Sequence, residues 1–180
     1  MITVSRNVYI KAPVERVFAL MADPAARSAL SPHAQPLKVE IEGNKPLRQG
    51  SVCHFRLKMD NRIADYRTRV CEFLPNQLIT TISDTPVPFH IRMETRPEGR
   101  GTWLTQTEQF DPTEDMLGET LPPTLKNIVM EKICWLLPFL DLDYAARTQR
   151  DREDRLEQQL GEKLERWLIT IQQHLESGNR

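Results

Sequence analysis

The sequence predicts an α+β domain in which a seven-stranded antiparallel sheet bends around a long C-terminal helix. Two observations carry this. From Leu37 to Phe110, apolar and polar residues alternate between closely spaced turn signals, as in half-buried strands. From Asp151 to Glu176, apolar residues recur every three or four positions, as on one face of a helix.

The first element is a strand, Thr3 to Lys11, with Val4, Arg6, Val8 and Ile10 on one parity. Ala12-Pro13 ends it and starts a helix, since proline's missing N–H has no partner in a first helical turn anyway. Val14, Val17, Phe18 and Met21 make that helix's apolar face. Asp23-Pro24 begins a second short helix, Ala25 to Leu30, which Ser31-Pro32 stops.

The antiparallel series follows. Leu37 to Glu42 leads through the 43–50 turn into Ser51 to Met59, where Cys53, Phe55, Leu57 and Met59 share a face. Asp60-Asn61 turns the chain into Arg62 to Leu74. That strand needs a bulge, because Tyr66, Thr68 and Val70 share one parity and Phe73 falls on the other. Pro75-Asn76 and Thr85-Pro86 bracket Gln77 to Ser83, and Val87 to Arg96 puts Phe89, Ile91 and Met93 together. A turn over residues 97–101 leads into Thr102 to Phe110.

Residues 113–150 read as a helical insertion before the terminal helix. Within them, 128–140 is apolar nearly all round. It reads as a helix buried against the sheet opening, a lid carrying Met130 and Trp135, a homodimer contact, or a peripheral membrane contact. The terminal helix carries Leu156, Leu160, Leu164, Trp167, Leu168, Ile171 and Leu175 on one face, with the acid-first pairs Asp151/Arg155 and Glu162/Arg166 outside.

Length and charge bound the rest. At 180 residues the chain reads as one domain, 1–180. A net charge of −1 gives no field that would draw nucleic acid. Three cysteines without a CxxC motif, and no basic-then-apolar start, point to free thiols in a cytoplasmic protein. Histidines at 33, 54, 90 and 174 show no metal-ligand spacing, and no phosphate-loop or dinucleotide fingerprint occurs, so no metal or cofactor is expected.

The order strand, two short helices, six strands, long helix is the helix-grip plan. Three stretches also resemble the START/Bet v 1-like (SRPBCC) superfamily, most closely its polyketide cyclase/dehydrase-like branch. They are VSRNVYIKAPVERVFALMADP from Val4, Gly43, Leu47 and Gly50 followed by VCEFLPNQLITTI from Val70, and GTWLTQTEQFDP from Gly101. The resemblance implies a bent sheet gripping the terminal helix, with a cavity between them. Family members often carry an aromatic in the second short helix, where this chain has Ser28-Ala29-Leu30-Ser31.

The residues support a cavity independently. One helix cannot cover the apolar face of seven strands, so the space left over is filled by side chains or binds something apolar. Strict alternation turns Leu104, Gln106 and Glu108 inward, joined by Phe55, Leu57 and Met59. Tyr66, Thr68, Phe89, Ile91 and Met93 complete the strands' share. Leu156 and Leu160 are expected on the sheet, and Leu164, Trp167, Leu168 and Ile171 toward the cavity, with His33 at its entrance. A one-residue slip would instead bring Trp103, Thr105 and Thr107 inside. A carboxylate in such a place has its pKa raised, so Glu108 reads as a general base with Tyr66 steadying an enolate. The competing reading puts Glu108 at a wet strand end or against an arginine. His54 and His90 fall on the charged outer parity.

The expected function is binding or transport of a hydrophobic or amphipathic small molecule, lipid-, polyketide- or isoprenoid-like. The alternatives are a cyclase/dehydratase using Glu108 and Tyr66, and a co-chaperone-like interaction module.

Overall fold

The computed structural model describes residues 1–43, 45–59, 62–111 and 149–178, with the backbone alone at 59, 62 and 149–156. The hairpin turn at 60–61 and the segment 112–148, with Met130, Trp135 and the readings attached to 128–140, lie outside the described residues.

Strand β1 (Ile2–Ile10) opens the chain, followed by helices α1 (Val14–Met21) and α2 (Pro24–Ala29). Then come β2 (Gln35–Ile41), β3 (Val52–Met59), β4 (Arg62–Leu74), β5 (Leu78–Ser83), β6 (Phe89–Glu98) and β7 (Gly101–Phe110), and finally helix α3 (Gln149–Ser177). The seven strands form one antiparallel sheet in the order β1-β7-β6-β5-β4-β3-β2. The chain therefore leaves one sheet edge at Ile10 and re-enters at the opposite edge at Gln35, and α1 and α2 cover the distance. Helix α1 packs on β6 and β7, and α2 packs on β2.

Strand parity follows the sequence pattern. Cys53, Phe55 and Leu57 are buried while Arg56 and Lys58 are exposed, and His54 sits on that outer face against Asp65 at 2.6 Å. The predicted bulge lies in β4, where the pairing with β5 shifts between Val70 and Glu72. Strand β7 pairs with β1 from Ile2↔Phe110 to Ile10↔Thr102 without a shift, so Thr102, Leu104, Gln106, Glu108 and Phe110 all point inward. The slip that would have brought Trp103, Thr105 and Thr107 inside does not occur.

Helix α3 lies along β1. Gln172 Nε2 donates to the Tyr9 carbonyl at 2.7 Å, and the Lys11 amide donates to Glu176 at 2.9 Å. Arg166 donates to the backbone oxygen of Glu162, not to its carboxylate. Leu160, Leu164, Leu168, Ile171 and Leu175 are buried in one core with the sheet's inner face and with Val17, Phe18 and Met21 of α1.

Candidate ligand cavity

Between the sheet, α2 and α3 lies a cavity of about 130 Å³. Phe55, Leu57, Phe89, Ile91 and Met93 form its sheet wall, and Leu160, Leu164 and Trp167 its helix wall. Polar groups enter from both helices and from three strands. Arg27 and Ser28 come from α2, Tyr66 and Thr68 from β4, Thr81 from β5, and Gln106 and Glu108 from β7. Ser31, His33 and Ala34 line it from the α2–β2 connection, and Lys163 from α3. Burial gives it a direction. Phe89, Tyr66, Thr68, Gln106 and Glu108 are buried, whereas Ser31, His33, Lys163 and Trp167 are partly exposed. The floor is therefore the sheet, and the solvent side is the edge between the α2–β2 connection and α3.

The aromatic floor is braced. Tyr66 stacks on Phe55 with ring centroids 5.3 Å apart, and Phe89 meets Tyr66 edge-on at 5.6 Å. Phe89 is itself held by its amide, which donates to Ser83 Oγ at 2.9 Å, within a buried Ser83–Thr85 hydroxyl pair.

Electrostatics concentrate at the polar end. Gln106 Nε2 donates to Glu108 Oε1 at 2.7 Å. Burial pushes the Glu108 carboxyl up to about 7, against the opposing pull of Gln106 and of Arg27. Burial likewise raises the Tyr66 phenol, which stays a neutral O–H donor. The Arg27 guanidinium is pushed down by burial, with Cys53, Tyr66, Asp23 and Glu108 acting the other way. Burial, with Lys163 and Arg166 nearby, lowers His33. Helix α2, which carries Arg27, is capped by Asp23, whose carboxylate accepts from the Ala25 and Ala26 amides at 3.0 and 2.9 Å. No group of three or more His, Cys, Asp or Glu among the described residues is arranged to hold a metal. No helix among them is long and apolar enough to cross a membrane.

Most of the residues expected from sequence line this space: Phe55, Leu57, Tyr66, Thr68, Phe89 and Ile91, together with Met93, Gln106, Glu108, Leu164, Trp167 and His33. Three do not. Leu104, Leu168 and Ile171 are fully buried in the packed core instead. Along α3, Leu160 thus joins Leu164 and Trp167 at the cavity, while Leu168 and Ile171 lie in the core, and the side chain of Leu156 lies outside the described residues. The reason is the tie to β1. Gln172 and Glu176 clamp the C-terminal half of the helix where Val8 pairs with Leu104, and that end closes on its own side chains. The side chain of Met59 lies outside the described residues.

Arg27 is the residue that sequence reasoning missed. Six residues of helix give too short a stretch for periodicity to assign a face. Thr81 was findable, because it shares the parity of Ile79 and Ser83. In place of the family's aromatic, Ser28 and Ser31 border the cavity, beside Arg27.

A cavity held between a seven-stranded antiparallel sheet and a long C-terminal helix defines a helix-grip protein. The chain belongs to the family described as polyketide cyclase / dehydrase and lipid transport, whose model matches residues 1–132. Solved structures share the fold. The Zhui aromatase/cyclase from Streptomyces is 17% identical, covers 99% of this chain and 95% of its own, and has a TM-score of 0.63. Protein NE0264 from Nitrosomonas europaea is 11% identical, with 98% and 96% covered and a TM-score of 0.66. Ara h 8.0201 is 11% identical, with 97% of each chain covered and a TM-score of 0.59. At these identities the likeness speaks for the fold alone. No curated protein matches the sequence significantly.

Proposed function

We propose that the protein binds or carries an amphipathic small molecule in this cavity, lipid-, polyketide- or isoprenoid-like in having an apolar body and an oxygenated end. The observation that carries the reading is the cavity's asymmetry. Its sheet and helix walls carry aromatic and aliphatic side chains, and among its polar groups Tyr66, Gln106 and Glu108 are buried, with Arg27 entering from α2. An apolar wall supplies affinity and a small polar set fixes orientation. Ligand exchange with a cytoplasmic pool suits the free thiols of Cys53 and Cys71. Native mass spectrometry of protein purified without organic extraction tests this. An adduct of defined mass, lost on Leu164→Glu, is expected; bare protein from several hosts would sink the reading.

A second reading is favoured by one observation. A carboxyl titrating near 7 inside an apolar cavity suits a general base at neutral pH. In that reading Glu108 takes a proton next to a substrate carbonyl and the neutral Tyr66 hydroxyl steadies the enolate. Glu108→Gln separates the two, since a carrier keeps its ligand in that variant and a cyclase/dehydratase keeps the ligand and loses turnover.

A further inference from the structure

Arg27 carries a permanent charge into a space with few groups to answer it. Its Nη1 donates to the Met21 carbonyl at 3.3 Å and contacts Met93 Sδ at 2.7 Å. Its Nε and Nη2 donate to nothing among the described residues, and no carboxylate among them lies within ion-pair distance of it. The Tyr66 hydroxyl, which lines the same cavity from β4, also donates no hydrogen bond among the described residues. A half-buried cation that lines an apolar cavity with spare donors is satisfied by an oxyanion.

Among the described residues, the one acidic side chain that lines the cavity is Glu108, 6% exposed. It neighbours Gln106, 4% exposed, whose Oε1 is buried with no hydrogen-bond partner. With Glu108 ionised, Gln106 must present its N–H groups to the carboxylate, which strands the amide oxygen. With Glu108 protonated, the carboxyl becomes a donor, and a half-turn of the amide brings its oxygen round to accept from it. The site is thus built for two charge states, and an arriving anion selects between them. Two carboxylates near one guanidinium in an apolar space cannot both stay ionised.

We propose that the ligand is a small amphipathic carboxylate held by Arg27 through its carboxylate group, and that Glu108 takes up one proton from solvent as the anion enters. This rests on the ligand-binding reading above and names the ligand's chemical class. The cavity's volume of about 130 Å³ suits one ring and its substituent, since a cavity of about 150 Å³ accepts benzene. The groups facing Glu108 are Gln106 on its own strand, Arg27 from α2 and Tyr66 from β4, with Cys53 of β3 behind Arg27. Its cross-strand neighbours, Val4 and Ile91, are uncharged. His33 and Lys163 stand on the solvent side. Burial holds Cys53 and Tyr66 above their ordinary values and His33 below its own. Glu108 is brought to about 7, so its charge is the one that ligand entry changes near neutral pH.

The test is isothermal titration of the full chain with benzoate and with benzyl alcohol at pH 8, in two buffers of different ionisation enthalpy. Benzoate is expected to bind at least about tenfold tighter than the alcohol, with uptake of about one proton per site, and its Kd is expected to rise about tenfold per pH unit above 8. Arg27→Gln is expected to remove the preference for benzoate, and Arg27→Lys to keep part of it. Equal binding of the two probes, or no proton uptake, overturns this proposal and leaves the ligand-binding reading standing. No binding of either probe, nor of a longer homologue such as 4-phenylbutyrate or its alcohol, overturns both. The comparison of probes on the unaltered protein needs no variant to fold.

Discussion

Gln106 and Glu108 sit two residues apart on the inward face of β7, joined by a 2.7 Å hydrogen bond that leaves the Gln106 amide oxygen buried and unpartnered. The stranded oxygen and the raised carboxyl are two aspects of one arrangement. Each is relieved when Glu108 is protonated, because a carboxylic acid donates where a carboxylate only accepts.

Stability should therefore fall as pH rises across the range where Glu108 loses its proton. The group's pKa goes from 4.5 in the unfolded chain to about 7 when folded. Below 4.5 both states hold the proton, and above 7 neither does. Between those values the folded state binds more protons, so stability is lost from about pH 4.5 through 7 and then levels off. The loss is on the order of 3 kcal/mol for a shift of this size. Glu108→Gln should flatten this part of the profile and be the more stable protein at pH 8. Urea midpoints of both proteins at pH 5, 6, 7 and 8 check it, and parallel profiles would refute it.

Asp23→Ala should cost about 1 kcal/mol by removing the cap of α2. It should also weaken ligand binding more than that loss of stability explains, because α2 carries Arg27, Ser28 and the chain into Ser31. Chemical denaturation and ligand titration on the same preparation give both quantities. An unchanged Kd would mean that Arg27 is positioned without the cap.

Two glycines should respond oppositely to alanine. A Cβ at Gly101 would lie 2.5 Å from the Ile10 carbonyl and 2.6 Å from the Tyr9 ring. Backbone cannot step aside cheaply, so Gly101→Ala should destabilise by about 1–3 kcal/mol. At Gly161 the obstacle is the Arg6 guanidinium, the far end of a flexible side chain. Arg6 can swing away, and a helix interior favours alanine over glycine by about 0.8–1 kcal/mol, so Gly161→Ala should raise Tm. Thermal melts of both variants test the pair.

Leu168→Ala and Leu164→Ala should differ although both residues are buried leucines on one helix face. Leu168 sits in packed core, and its loss should cost about 2–5 kcal/mol. Leu164 borders an existing cavity, so its removal enlarges that space and forfeits fewer contacts. The Leu164 variant should accept a bulkier ligand than the parent. Equal melting temperatures for the two variants would show that Leu168 also faces open space.

The sheet was legible because a strand's period is fixed. Once Leu104 is inward, Gln106 and Glu108 must be, and pairing to β1 without a shift kept that register to the last residue. The bulge in β4 was legible from the parity break between Val70 and Phe73 for the same reason. Arg27 was not. Its direction depends on where α2 docks on β2, a tertiary fact that six residues do not encode. The split of α3 into cavity-lining Leu160 and Leu164 and core-filling Leu168 and Ile171 was also hidden. All four carry the same helical signature, and the hydrogen bonds from Gln172 and Glu176 to β1 decide which end closes.

The placement of β1 beside β7 has a kinetic consequence. Among themselves, strands β2 to β7 pair only with sequence neighbours, so they can zip one hairpin at a time. The β1–β7 seam instead joins residues such as Ser5 and Thr107, 102 positions apart, and its loop-closure entropy must be met before any of its contacts form. That seam completes the wall holding Gln106 and Glu108. A refolding chain should regain hairpin structure first and the power to bind ligand last, with β1 docking as the step that sets the clock.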